Sequence, residues 1–101
     1  MIKFWKEDFR YVERYEYGLD VYRYVFTVRG ESANYLMNKY DLGYPNITVN
    51  LFTDDNSMSV ASKANNGLQS DVTDIDDIDD LAELLKILSE KVYRFNKLWR
   101  V

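Results

Sequence analysis

From Ile78 onward the apolar residues recur at alternating steps of three and four: Ile78, Leu81, Leu85, Leu88, Val92, Phe95 and Trp99, with Leu84, Ile87 and Leu98 widening the stripe. Positions spaced this way share a face only on a helix of about 3.6 residues per turn, so the pattern predicts an amphipathic helix running to about residue 99. At about 1.5 Å per residue it reaches roughly 30 Å, enough to cross a small sheet. Thr73 followed by Asp76 has the spacing of a capping box and would start it. An apolar face of this length must be covered. A chain of 101 residues, 47% hydrophobic and 30% charged, has the size of one domain with one modest core to cover it. The stripe also fits a coiled-coil seam of three heptads, and Trp99, near the chain end, would serve a homodimer if it reaches past the sheet edge. Packing on the chain's own sheet is the commoner use of such a stripe.

That sheet is visible in the first half. Phe9, Tyr11, Tyr15 and Tyr17 fall on one side of an alternating run with Glu13; Arg10, Val12, Arg14 and Glu16 fall on the other. Tyr22, Tyr24, Phe26 and Val28 alternate with Arg23, Val25, Thr27 and Arg29. Period two predicts two strands, and Gly18-Leu19 between them suits a two-residue hairpin turn with glycine first. This turn pairs Tyr17 with Asp20, Tyr15 with Tyr22, Tyr11 with Phe26 and Phe9 with Val28, which puts the aromatics on one face. A slip of one residue would set Tyr15 against Arg23, so the register is favoured. A helix through residues 4–15 competes less well.

Ser32 to Leu42 reads as a short helix with Ser32 as N-cap and Gly43 as its stop. Asn46 to Thr53 and Met58 to Ser62 form a second hairpin around Asp54-Asp55-Asn56-Ser57, and Lys63 to Ser70 reads as a loop. The expected architecture is therefore α+β: a four-stranded antiparallel sheet, made of two hairpins with a short helix between them, packed on one long C-terminal helix. Tyr11, Tyr22, Phe26, Ile47, Val49, Leu51 and Val60 would meet Leu81, Leu85, Leu88, Val92 and Phe95.

Several chemistries are poorly supplied. The chain has no cysteine and no histidine, which removes disulfides, thiolate chemistry and the commonest general base and metal ligand. Residues 1–8 have no apolar run fit for a signal peptide, and no stretch could span a bilayer, so the expected location is the cytoplasm of the producing cell, or of a host if a virus encodes the chain. Asn46-Ile47-Thr48 is a chance match to a glycosylation sequon on this view. Calcium loops need a glycine at the sixth position and a glutamate at the twelfth; neither the acidic segment nor Asp54-Asp55-Asn56 supplies them. No nucleophile motif or phosphate-cradling glycine loop is present, and acidic pairs lie only in turns or at an exposed helix start. The expectation is no metal, no cofactor and no enzyme.

The net charge of −4 is concentrated. Between residues 71 and 83 every charge is negative: Asp71, Asp74, Asp76, Asp77, Asp79, Asp80 and Glu83. Lys86, Lys91, Arg94, Lys97 and Arg100 follow toward the C-terminus. Acids at a helix start and bases at its end suit the helix dipole, each worth about 0.3–1 kcal/mol over the terminal turn. Two or three acids would be enough for that, and carboxylates three and four apart repel. The surplus suggests a surface for a protein partner that is itself basic. A row of carboxylates imitates a nucleic-acid backbone, and small inhibitors such as immunity, antirestriction and anti-CRISPR proteins share this size and acidity, although no motif ties the chain to them.

The expected function is thus a small acidic noncatalytic interaction protein that binds and inhibits or regulates a partner handling nucleic acid, with those seven acids as the contact. One alternative is direct nucleic-acid binding through Arg10, Arg14, Arg23 and Arg29 on the second strand face. In the expected register the arginines and the aromatics oppose each other, which argues against a base-stacking platform. Another alternative is a dimeric adaptor or chaperone.

Overall fold

The computed structural model describes residues 3–19 and 21–99, with side chains throughout except at Tyr17 and 93–99. The expected packing of Phe95, the dimer role of Trp99 and the pairing of Tyr17 with Asp20 lie outside the described residues. The chain is α+β, with an antiparallel sheet and a C-terminal helix. The sheet has five strands, not four, in the order β1 (Phe9–Gly18), β2 (Val21–Val28), β3 (Asn46–Phe52), β4 (Met58–Lys63) and β5 (Ser70–Asp74). Helix α1 (Gly30–Lys39) joins β2 to β3, and α2 (Ile78–Trp99) follows β5. A 3-10 turn at Lys6–Asp8 precedes β1.

The added strand is β5, where the acidic segment begins. Ser70–Asp74 pairs with β4 from Lys63↔Ser70 to Ser59↔Asp74. Its sequence, SDVTD, has one apolar residue and two aspartates, a poor strand by propensity. Pairing with β4 holds it in place. Aspartates on a short edge strand also discourage further strand addition there.

The β1–β2 register agrees with expectation from Phe9↔Val28 to Tyr11↔Phe26 and then shifts. A bulge at Val12 makes Glu13 oppose Val25, Arg14 oppose Tyr24 and Tyr15 oppose Arg23, the pairing that the simple turn disfavoured. The cause lies in Glu13. Unbroken alternation would set its carboxylate among the inward aromatics, whereas the bulge turns it outward. Arg14 takes the inward side and lays its guanidinium over the Tyr22 ring, 4.5 Å from the centroid. A second shift makes Gly18 oppose Val21, so the hairpin turns after Gly18, not on it.

Both helices pack on the inward face. Phe26, Val49 and Val60 are fully buried there with Leu36 of α1 and Leu84 and Leu88 of α2. Phe4, ahead of β1, joins them and meets Tyr35 edge-on at 5.1 Å. Helix α2 is rotated from the expected stripe: positions 80, 84 and 88 are fully buried, Leu81, Leu85 and Val92 flank them, and Ile78 is 80% exposed.

Helix ends also differ from expectation. Asp77, not Thr73, caps α2: its Oδ1 accepts the amides of Asp79 (2.9 Å) and Asp80 (3.1 Å). Ser32 lies inside α1, fully buried, and its Oγ accepts the Trp5 amide at 2.9 Å. Asp8 caps α1 from outside by accepting the Ser32 amide at 3.2 Å. At the other end Asp41, at φ 52°, takes the left-handed position expected of Gly43, and the Leu42 amide donates back to the Met37 carbonyl.

Candidate functional site

The seven acids of residues 71–83 do not form one surface. Asp80 is fully buried. Its Oδ1 accepts Lys3 Nζ at 2.8 Å and the Tyr35 hydroxyl at 2.9 Å; its Oδ2 accepts the Tyr40 hydroxyl at 2.9 Å and pairs with Lys39 Nζ at 2.8 Å. Lys39 also binds Asp77, and Lys3 lies 3.6 Å from Glu83 Oε1. The cluster ties the N-terminal segment, α1 and α2 together through one carboxylate. Helix rotation explains how it gets there. Capping by Asp77 sets the helix start, and three residues later Asp80 points inward, above Leu84 and Leu88.

Burial alone would push the Asp80 carboxyl up, but hydrogen bonds from Lys3, Lys39, Tyr35 and Tyr40 outweigh it and hold the pKa at about 2. The bond to Lys39, followed by the amide of Asp80, lowers Asp77. The bond to Asp80 raises Lys3 above the ordinary lysine range, and bonds to Asp77 and then Asp80 do the same for Lys39. Burial, then donation to Asp80, raises the Tyr40 hydroxyl. At neutral pH the carboxylate and both ammonium groups are therefore ionised and mutually satisfied. Both Asp80 oxygens are occupied, which leaves little room to accept a substrate proton. The cluster acts as a structural tie.

The other acids divide further. Asp71, on β5, accepts the Gly43 amide at 3.0 Å and anchors the loop after α1. Asp74, Asp76 and Asp79 are exposed, and among the described residues their carboxylates have no partner. In sequence Asp76 and Asp79 lie close to Ile78, which is exposed, and Asp74 ends β5. Among the described residues, no group of three or more acids stands arranged to hold a metal ion.

The arginines also separate. Arg14 is on the inward side over Tyr22, while Arg23 faces outward over the Tyr15 ring at 4.5 Å. Arg10 opposes Thr27 on the outer face, and Arg29 precedes α1. The bulge at Val12 is what divides them, so no single four-arginine face forms.

Sequence reasoning missed Lys3, Tyr35, Lys39 and Tyr40 as partners of Asp80. Tyr35 and Lys39 stand four apart on α1, which places them on one helix face, but nothing local links that face to a residue about forty positions away. In comparisons with protein-family models, curated proteins and solved structures, nothing matches this chain. Among the described residues no helix is long and apolar enough to cross a membrane.

Proposed function

We propose that this protein is a noncatalytic interaction module that binds a protein partner with a basic surface, of the kind that handles nucleic acid, and inhibits or regulates it. The contact is the exposed part of the acidic segment: Asp74, Asp76 and Asp79 around Ile78. The observation that supports this is Ile78, 80% exposed at the first position of α2, with the exposed Asp76 and Asp79 near it in sequence on either side of the paired Asp77. An exposed apolar side chain in a segment of exposed acids has the composition of an interface centre with a polar rim. Burying it in a partner contributes about 1.5–3 kcal/mol, and the carboxylates steer a basic surface toward it. Asp77 and Asp80 are not part of this contact, because their charges are already used within the fold.

The test is capture of partners from a nuclease-treated lysate by the native chain and by the Asp74→Asn/Asp76→Asn/Asp79→Asn variant. Retention of a basic nucleic-acid-handling protein by the native chain, with loss by the variant, is the expected result. Equal retention by both contradicts it. A second reading draws on the outward placement of Tyr15 and Arg23, which sit with Asn50 and Phe52 on the sheet face opposite the helices. Such a face suits stacked bases of single-stranded nucleic acid. Binding of naked DNA or RNA, abolished by Tyr15→Ala, would favour that reading over the first.

A further inference from the structure

Four of the ten cations whose side chains are described have an assigned place. Lys3 and Lys39 are used on Asp80 and its neighbours, and Arg14 and Arg23 lie over tyrosine rings. Three that remain, Arg10, Arg29 and Lys91, line one cleft of about 630 Å³ where the end of the β1–β2 pair faces α2. Among the described residues none of the three has an acidic partner. Two acids share the cleft wall, Glu7 and Asp8. Asp8 is engaged elsewhere: its Oδ2 accepts the Ser32 amide, and its carboxyl lies against Gly30. Counting Glu7 and Asp8, the lining carries three positive groups and two negative ones, a net of one positive charge on a protein of net charge −4, and the half-buried ring of Tyr11 adds an apolar wall.

Three cations against two acids leave one positive charge in the cleft unmatched, which a bound anion can balance. Two guanidinium groups and one ammonium offer more donors than a single carboxylate can accept, and forked guanidinium groups match the oxygens of a phosphate. We infer that this cleft binds a phosphate group, held by Arg10, Arg29 and Lys91, on a small ligand whose remaining part lies against Tyr11. The inference stands apart from the acidic contact around Ile78 and does not rest on it.

The test is an amide-resolved NMR titration of the full chain with inorganic phosphate and with phenyl phosphate, at constant pH and constant ionic strength. Saturable shifts confined to residues 7–11, 27–29 and 91 are expected. Loss of two charge-assisted contacts in Arg29→Gln/Lys91→Gln should weaken binding about tenfold or more. The Arg29 side chain makes no capping bond to α1, so this variant keeps its fold. A control, Lys63→Gln/Lys86→Gln, removes the same charge elsewhere and should bind like the native chain. Tighter binding of phenyl phosphate than of inorganic phosphate is expected; equal binding would overturn the part given to Tyr11 and leave only the phosphate contacts. Shifts that never saturate, or equal weakening in the two double variants, would overturn the site.

Discussion

Replacing Asp80 with asparagine keeps the side-chain shape and removes its charge, so it isolates the carboxylate's part in the fold. The native carboxylate is fully buried and receives Lys3 and Lys39 at 2.8 Å each, with the Tyr35 and Tyr40 hydroxyls at 2.9 Å each. Breaking a buried ion pair from one side costs about 3–5 kcal/mol. Here the two ammonium groups keep some access to water, with side chains 22% and 31% exposed, so they are partly re-solvated when the carboxylate is lost. A loss near the lower end, about 3 kcal/mol, is the reasoned value. It would be a large share of the roughly 5–15 kcal/mol that stabilises a typical domain, and would lower Tm by roughly 10–20 °C. Urea unfolding followed by tyrosine and tryptophan fluorescence would measure it, with Asp79→Asn as the control. Asp79 is exposed and one position away, and its variant should unfold close to the native midpoint. If Asp80→Asn and Asp79→Asn unfold at the same urea concentration, the tie assigned to Asp80 is wrong.

The same carboxylate sets an acid limit. Its folded pKa of about 2 lies below the ordinary aspartate value, so the unfolded chain binds more protons between about pH 4 and pH 2. Stability from this group is present above that window, is lost as pH falls through it, and amounts to about 2 kcal/mol; acid unfolding monitored by circular dichroism should show the loss, and Asp80→Asn should abolish that part of it. Gly30 is at φ 65°, and an added Cβ would come 2.9 Å from the Asp8 carboxyl, so Gly30→Ala should cost at least about 1–2 kcal/mol in a thermal melt. Leu88→Ala empties a fully buried site and should cost about 2–5 kcal/mol, whereas Ile78→Ser should leave the melt nearly unchanged while weakening partner capture. Asp77→Ala removes both the α2 cap and a partner of Lys39, and hydrogen exchange should show the first turn of α2 opening sooner than in the native chain.

Much of the fold was legible because burial leaves a local pattern. The alternation of Phe9, Tyr11, Phe26 and Val28, and of Ile47, Val49 and Leu51, placed both hairpins, and the three-four spacing placed α2. Strand β5 was hidden because SDVTD gains its order from pairing with β4, a contact that local propensity does not encode. The bulge at Val12 did leave a sign in Glu13, a carboxylate on the aromatic side of an otherwise consistent strand. Its position could have been found by asking where that charge would go. The division of the acidic segment was not legible. Asp77, Asp79 and Asp80 look alike in sequence, and what separates them is the capping geometry of α2 and a lysine 77 positions away from Asp80. Ile78 misled for the same reason: it continues the apolar stripe, but the helix rotation that buries Asp80 turns it to the surface.

The most direct measurement is a comparison of two variants that remove the same charge from neighbouring positions, Asp76→Asn/Asp79→Asn and Asp77→Asn/Asp80→Asn, each examined for its unfolding midpoint and, at a temperature where both are folded, for partner capture. The first pair should unfold like the native chain and lose the partner; the second should unfold much earlier and keep the partner while folded. If the two pairs fall together in stability, or if the first keeps the partner, the division of the acidic segment into a structural half and a binding half is wrong.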